Sequence, residues 1–160
     1  MPASKPVTLP ALDPAGMAER TGSSYPEPYR AAVAGRAKWA LGDAVGLTRY
    51  GVNLVRLPPG VASSQRHWHS HEDEFVYVLA GEVELITESG PQTLSAGMCA
   101  GFPAGRPDGH QLVNRAQADA VYLEIGDRDE ADECHYPDID LHLRPVDSSY
   151  RFTRKNGEPY

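Results

Sequence analysis

Apolar and polar positions alternate along the middle of the chain with a period of two, and the segments are short. Tyr50-Gly51-Val52-Asn53-Leu54-Val55-Arg56-Leu57 reads as a strand stopped by Pro58-Pro59-Gly60, a strong turn signal. Ala44 to Pro58 is therefore paired β-structure. Val61 to Ser70 follows as a further extended segment. Phe75 to Leu79 is rich in β-branched and aromatic residues and apolar on both faces. Val76 and Val78 share parity with Glu74 and face inward, so Phe75, Tyr77 and Leu79 face outward and need cover. After Ala80-Gly81, the segment Glu82 to Thr87 alternates, with Val83 and Leu85 inward and Glu82 and Glu84 outward. Turns at Ser89-Gly90-Pro91 and Ala96-Gly97 bracket a short strand at Gln92 to Leu94. Met98 to Phe102 then leads into a proline- and glycine-rich loop, Pro103 to Gly109. His110, Leu112 and Asn114 share one face of the next strand, and Asp119 to Ile125 is the one after.

The flanks lack this period. Residues 1–43 are rich in proline, alanine and glycine and read as an irregular arm. A short helix is possible between Arg30 and Leu41, interrupted by Gly35, and Tyr25 and Tyr29 suit docking on a barrel or a partner subunit. After Gly126 the chain turns acidic, with Asp127, Asp129, Glu130, Asp132, Glu133, Asp138 and Asp140. This segment, including the stretch His135 to His142, reads as solvated surface rather than as a second metal site. Cys134-His135 reads as incidental. The final RFTRKNGEPY reads as a hairpin or an arm. At 160 residues the chain fits one domain, divided as arm 1–43, β-barrel 44–126 and acidic extension 127–160.

The net charge of −7 argues against nucleic acid and anionic membrane as partners. No apolar run approaches the roughly 18 residues a membrane helix needs, and the first residues lack the apolar core of a signal peptide. Cys99 and Cys134 are the only cysteines and form no Cys-x-x-Cys pair, which fits reduced thiols in a cytoplasm.

Chemistry concentrates at Arg66-His67-Trp68-His69-Ser70-His71-Glu72-Asp73-Glu74. Alternate side chains of a strand leave one face. If Ser70 to Asp73 is a four-residue hairpin loop, His69 faces Glu74 across an antiparallel pair at about 5 Å between Cβ atoms, and His67 faces Val76. Two imidazoles and a carboxylate then converge as a metal half-site. Pairing His69 with His71 instead would leave Glu72-Asp73 as the turn, and two-residue hairpins prefer Asn-Gly or glycine-containing pairs. His67, His69 and Glu74 are favoured, with His71 in the loop. Trp68 and Arg66 leave the opposite face, and packing is the role expected of Trp68.

The spacing Gly60, His67, His69, Glu74, Gly81 resembles the first motif of the cupin superfamily, with one extra residue between Gly60 and His67. Gly97, Pro103-Ala104-Gly105, His110 and Asn114 resemble the second, with four residues rather than two between Gly105 and His110. The resemblance spans Asn53 to Ile125. It implies an all-β, cupin-type jelly-roll barrel, often a homodimer, with a metal held by His67, His69, Glu74 and His110. Such a nitrogen and oxygen donor set suits Zn, Mn, Fe or Ni and not calcium. In an octahedron it leaves two positions open for a small-molecule ligand. Arg106 in the mouth loop is a candidate contact for an anionic substrate. Asn114 is a candidate substrate contact or loop-orienting residue. The chain also looks like small cupins labelled as sugar-phosphate isomerases, a reaction that needs a phosphate anchor and a base. Arg106 and Arg56 are the candidate cations, and no lysine lies near either motif. Oxygen-dependent oxidation, or ligand binding without turnover, are the alternatives.

Overall fold

The computed structural model describes residues 10–160; the part of the expected arm before Pro10 lies outside the described residues. The strands are β1 (Ala37–Ala40), β2 (Tyr50–Leu57), β3 (Trp68–His69), β4 (Glu74–Ala80), β5 (Glu82–Thr87), β6 (Gly90–Ser95), β7 (Cys99–Phe102), β8 (Gln111–Val113), β9 (Ala120–Asp127), β10 (Cys134–Tyr136), β11 (Leu141–Val146) and β12 (Ser149–Thr153). Every pairing between them is antiparallel. Three sheets result, in the orders β1-β2-β9-β4-β7, β12-β11-β10-β3 and β6-β5-β8. They wrap a common interior in the jelly-roll manner without closing into one continuous barrel.

Alternation explains the main core. The inward residues Val55, Leu57, Val76, Val78, Val83, Leu85, Leu94, Leu112 and Tyr122 form one buried cluster. The break between β4 and β5 is set by Gly81, whose φ of +71° suits glycine and where a Cβ would come within 2.7 Å of the Asp119 carbonyl oxygen. The opposite face of the five-stranded sheet is also apolar. Trp39, Leu54, Leu123 and Tyr77 lie in one cross-strand row, and Val52, Ile125 and Phe75 in the next. Phe75, Tyr77 and Leu79 remain exposed in the single chain.

Three expectations are corrected. The helix expected between Arg30 and Leu41 is a single 3-10 turn, Ala31–Val33, followed by β1, with only a short α1 (Leu41–Ala44) beyond it. Gly35 lies against Val61, where a Cβ would meet the Val61 side chain at 2.8 Å, and the chain there runs extended into β1.

The segment after Gly126 is not a solvated tail throughout. β10, β11 and β12 build a sheet whose Cys134, Tyr136 and Leu141 bury against Tyr25 and Val33 of the arm. The arm and the C-terminal segment therefore share a second core, in which Tyr25 is buried.

The hairpin drawn between His69 and Glu74 does not form. β3 pairs with β10, placing His69 opposite Cys134. β4 pairs with β9 and β7, so Glu74 lies opposite Gly126 and Phe102. The loop is held open from outside. Asp132 accepts hydrogen bonds from the backbone N–H groups of His71 and Glu72, and Asp127 accepts one from Asp73.

Candidate metal centre

The histidines and Glu74 meet despite the different strand pairing. His67 forms an isolated antiparallel bridge with His110, joining the two motif segments directly. Glu74, first residue of β4, points to the interior with Val76 and Val78. Its Oε2 lies 2.8 Å from His110 Nε2, 3.4 Å from His67 Nε2 and 3.5 Å from His69 Nε2. Three ring nitrogens thus surround one carboxylate oxygen. That oxygen is buried, yet none of the three contacts has hydrogen-bond alignment. A buried polar atom of this kind needs a partner, and a metal ion bound by the same four groups supplies one. The donor set therefore fits a divalent transition ion.

The second nitrogen of each ring is constrained differently. His69 Nδ1 donates to Asp132 Oδ2 at 2.6 Å, and His67 Nδ1 donates to the Gln65 carbonyl at 2.9 Å. Both bonds leave Nε2 as the free donor to a metal, the usual way an outer partner sets the tautomer. His110 Nδ1 is buried without a partner, and its ring is held by stacking on Phe102, 3.6 Å between centroids and 3° between planes.

The protonation states follow from these contacts. Burial pushes the Glu74 carboxyl up, but His110, His67 and His69 outweigh it and hold the group well below the ordinary carboxylate range. Glu74 is ionised. Burial lowers His69, but the bond to Asp132 and the charges of Glu74 and Asp132 reverse this and raise it to about 9. Burial wins at His110 and leaves it below its ordinary value. A metal bound at His69 would take the place of any proton on Nε2.

Two cavities meet at this cluster. The smaller, about 50 Å³, opens past Trp68, Phe102, Arg106 and Asp108. The larger, about 180 Å³, is lined by Arg36, Lys38 and Glu124 together with the histidines and Glu74. Lys38 Nζ sits 2.7 Å from Glu124 Oε1, and Asn53 Nδ2 donates to the same oxygen at 3.2 Å. Arg36 donates to the Ser63 carbonyl rather than to a carboxylate. Burial pushes Glu124 up, but Lys38 overrides it and holds the carboxyl below its ordinary value.

His67, His69, Glu74 and His110 are thus brought together, and Arg106 lies at the mouth. Asn114 is elsewhere. It is fully buried, its amide donates to the Leu57 and Ala118 carbonyls, and its oxygen accepts from Ala116 N, which orients the loop before β9. His71 is exposed, with Nδ1 on Ser70 Oγ. Arg56 pairs with Glu19 and Asp119 at the exposed surface. Sequence reasoning missed Asp132, Arg36, Lys38 and Glu124. Asp132 is one acid among many in its stretch. Arg36 and Lys38 lie some 30 residues before the histidines, and only the β1–β2–β9 register places Lys38 on the inner face.

The Cupin domain family matches residues 53–126. The crystal structure of a sugar phosphate isomerase from a cupin superfamily, from Silicibacter pomeroyi DSS-3, is 46% identical. It covers 94% of this chain and 96% of its own, with a TM-score of 0.91. A protein of Acidithiobacillus ferrooxidans ATCC 23270, provisionally described as a sugar phosphate isomerase, is 31% identical, covering 78% of this chain and 80% of its own with a TM-score of 0.71. The polyketide cyclase RemF of Streptomyces resistomycificus shares the fold alone, at 15% identity over 73% of this chain and 78% of its own, TM-score 0.61. No curated protein matches the chain in sequence.

Proposed function

The chain belongs to the cupin superfamily, and from that premise we propose that it is a metal-dependent enzyme isomerising a small anionic substrate of the sugar-phosphate class. The observation that carries this reading is the approach of three imidazole Nε2 atoms to one buried Glu74 oxygen at the meeting of two cavities. On this reading His67, His69, Glu74 and His110 hold one divalent ion, Zn, Mn, Fe or Ni. When bound, such an ion supplies polarisation of a substrate carbonyl or hydroxyl oxygen.

The remaining work falls to side chains of this chain. Among the described residues Arg36 makes no ion pair with a carboxylate and donates to the Ser63 carbonyl, so its guanidinium is the anchor for a phosphate, a geometry arginine suits. Glu124, ionised and held by Lys38 and Asn53, is the proton acceptor that an aldose–ketose exchange requires. Arg106 meets the anion at the mouth. The identity to the Silicibacter protein supports the substrate class. The apolar outer face of the five-stranded sheet supports a homodimer, and the free thiols of Cys99 and Cys134 support a reducing, cytoplasmic setting. Among the described residues no helix is long and apolar enough to cross a membrane.

The test joins metal content to turnover. Protein purified without a histidine tag is expected to carry about one ion per chain and to interconvert an aldose phosphate with its ketose. His69→Ala should lose most of the metal and His71→Ala should keep it. Equal metal in the two variants would refute the ligand set. Bound iron with oxygen uptake would move the assignment to oxidation, and a filled site inert to a broad sugar-phosphate panel would move it to ligand binding.

A further inference from the structure

The far side of the same strands carries a second cluster that the central site does not use. Trp68, His135 and His142 lie in register across β3, β10 and β11. They face away from His69 and Cys134, the pair one residue along. Glu133, two residues before His135, projects from the same face of the extended chain. The Glu133 carboxylate lies 2.8 Å from His142 Nε2 and 4.0 Å from His135 Nε2. The donor atoms of all three residues fall within 4.8 Å of one another.

Two features distinguish this cluster from a solvated polar edge. First, His142 Nε2 is buried and has no aligned hydrogen bond, although the Glu133 oxygen is close. The Glu74 oxygen of the central site shows the same combination of proximity without alignment. Second, the two imidazoles are fixed. His135 is sandwiched between Trp68, 4.2 Å away at 17°, and His142, 4.6 Å away at 23°. Stacking holds both rings side by side with their edges toward Glu133, so little side-chain entropy remains to be lost on binding. The groove beside them, lined by Trp68, Pro137, Leu141 and Lys155, is open to solvent.

We propose that Glu133, His135 and His142 form a second divalent-metal site, separate from the central one and selective for zinc-, copper- or nickel-like ions. Two imidazoles and a carboxylate suit these ions rather than calcium or magnesium. Three protein ligands leave a position open to water. An ion there ties β10 to β11 on the outer face while Asp132 and His69 join β3 to the loop before β10 on the inner one.

Trp68 gives the site a readout, and since it also borders the smaller cavity of the central site, variants of each site separate the two contributions. In a Trp39→Phe background it is the sole tryptophan, and a copper ion on His135 lies against the ring stacked on Trp68 and quenches it. Metal-free protein is titrated with Cu²⁺ under fluorescence, and Zn²⁺ stoichiometry is measured by equilibrium dialysis. The expected result is two equivalents of Zn²⁺. His142→Ala and Glu133→Gln each lose one equivalent together with its quenching phase, and His69→Ala loses the other. One equivalent that disappears in His142→Ala but survives in His69→Ala would support this site and count against the central one. A single equivalent retained in both His142→Ala and Glu133→Gln, or two equivalents retained in both, would overturn the proposal.

Discussion

Asp132 shows how one side chain can serve fold and site together. It is 4% exposed. One oxygen accepts from the His71 and Glu72 backbone N–H groups and the other accepts from His69 Nδ1. Asp132→Asn keeps an acceptor for the backbone but turns an amide N–H toward a ring N–H. The tautomer of His69 that presents Nε2 is then disfavoured. Affinity for the central ion should fall about 10- to 100-fold, the usual range for losing such a partner, as read by chelator competition. Unchanged affinity would show that His69 is oriented by the strand alone.

Burial pushes the Cys134 thiol far up its scale, and Cys99 is exposed. The thiolate is the reactive form. Iodoacetamide should therefore leave Cys134 unmodified in the native protein and reach it only after unfolding; modification of Cys134 in native buffer, by peptide mass, would contradict this placement.

The metal-ligand candidates were legible in the sequence because alternation and spacing single them out, His67 and His69 on one face and His110 and Glu74 within motifs. Their outer partners were not. Nothing local separates Asp132 from Asp129 or Glu130, and Arg36 is polar chain in an irregular stretch until β1 forms.

At the level of elements, legibility tracked amphipathic period. β2 and β5 fall where alternation placed them, Tyr50–Leu57 and Glu82–Thr87. The turn after His69 did not, because the partner of β3 comes from β10, more than 60 residues later, and the tertiary pairing overrides the local option. β10 and β11 were hidden by composition. Their inward residues, Cys134, Tyr136 and Leu141, are separated by histidines, prolines and acids that suggest solvent.

The second core they build has a direct test. Leu141 is fully buried among Tyr25, Val33, Cys134 and Tyr136. Leu141→Ala should lower stability by about 2–5 kcal/mol, as for truncations that leave a cavity, measured by urea denaturation. A cost within experimental error would mean that the C-terminal sheet contributes little to the folded state.

At the scale of the whole molecule the five-stranded sheet has two apolar faces and one protein interior. The outer rows through Trp39, Leu54, Leu123 and Tyr77, and through Val52, Ile125 and Phe75, form a contiguous surface of the kind that marks an interaction site. In sedimentation the 17.4 kDa chain should run at twice that mass, and Tyr77→Lys, which puts a charge on this surface, should shift it to the single-chain mass. A wild-type protein that sediments as a single chain at high concentration would leave this face to a different partner.

The larger cavity takes its cations from Arg36, just before β1, and Lys38, within it, and its candidate metal ligands from residues 67–110. Both cations lie outside residues 53–126, the stretch that matches the family, whereas Arg106 at the mouth lies within it. An exchange of the segment around Arg36 and Lys38 between relatives would leave the candidate metal ligands in place and change the charge that lines the cavity beside them.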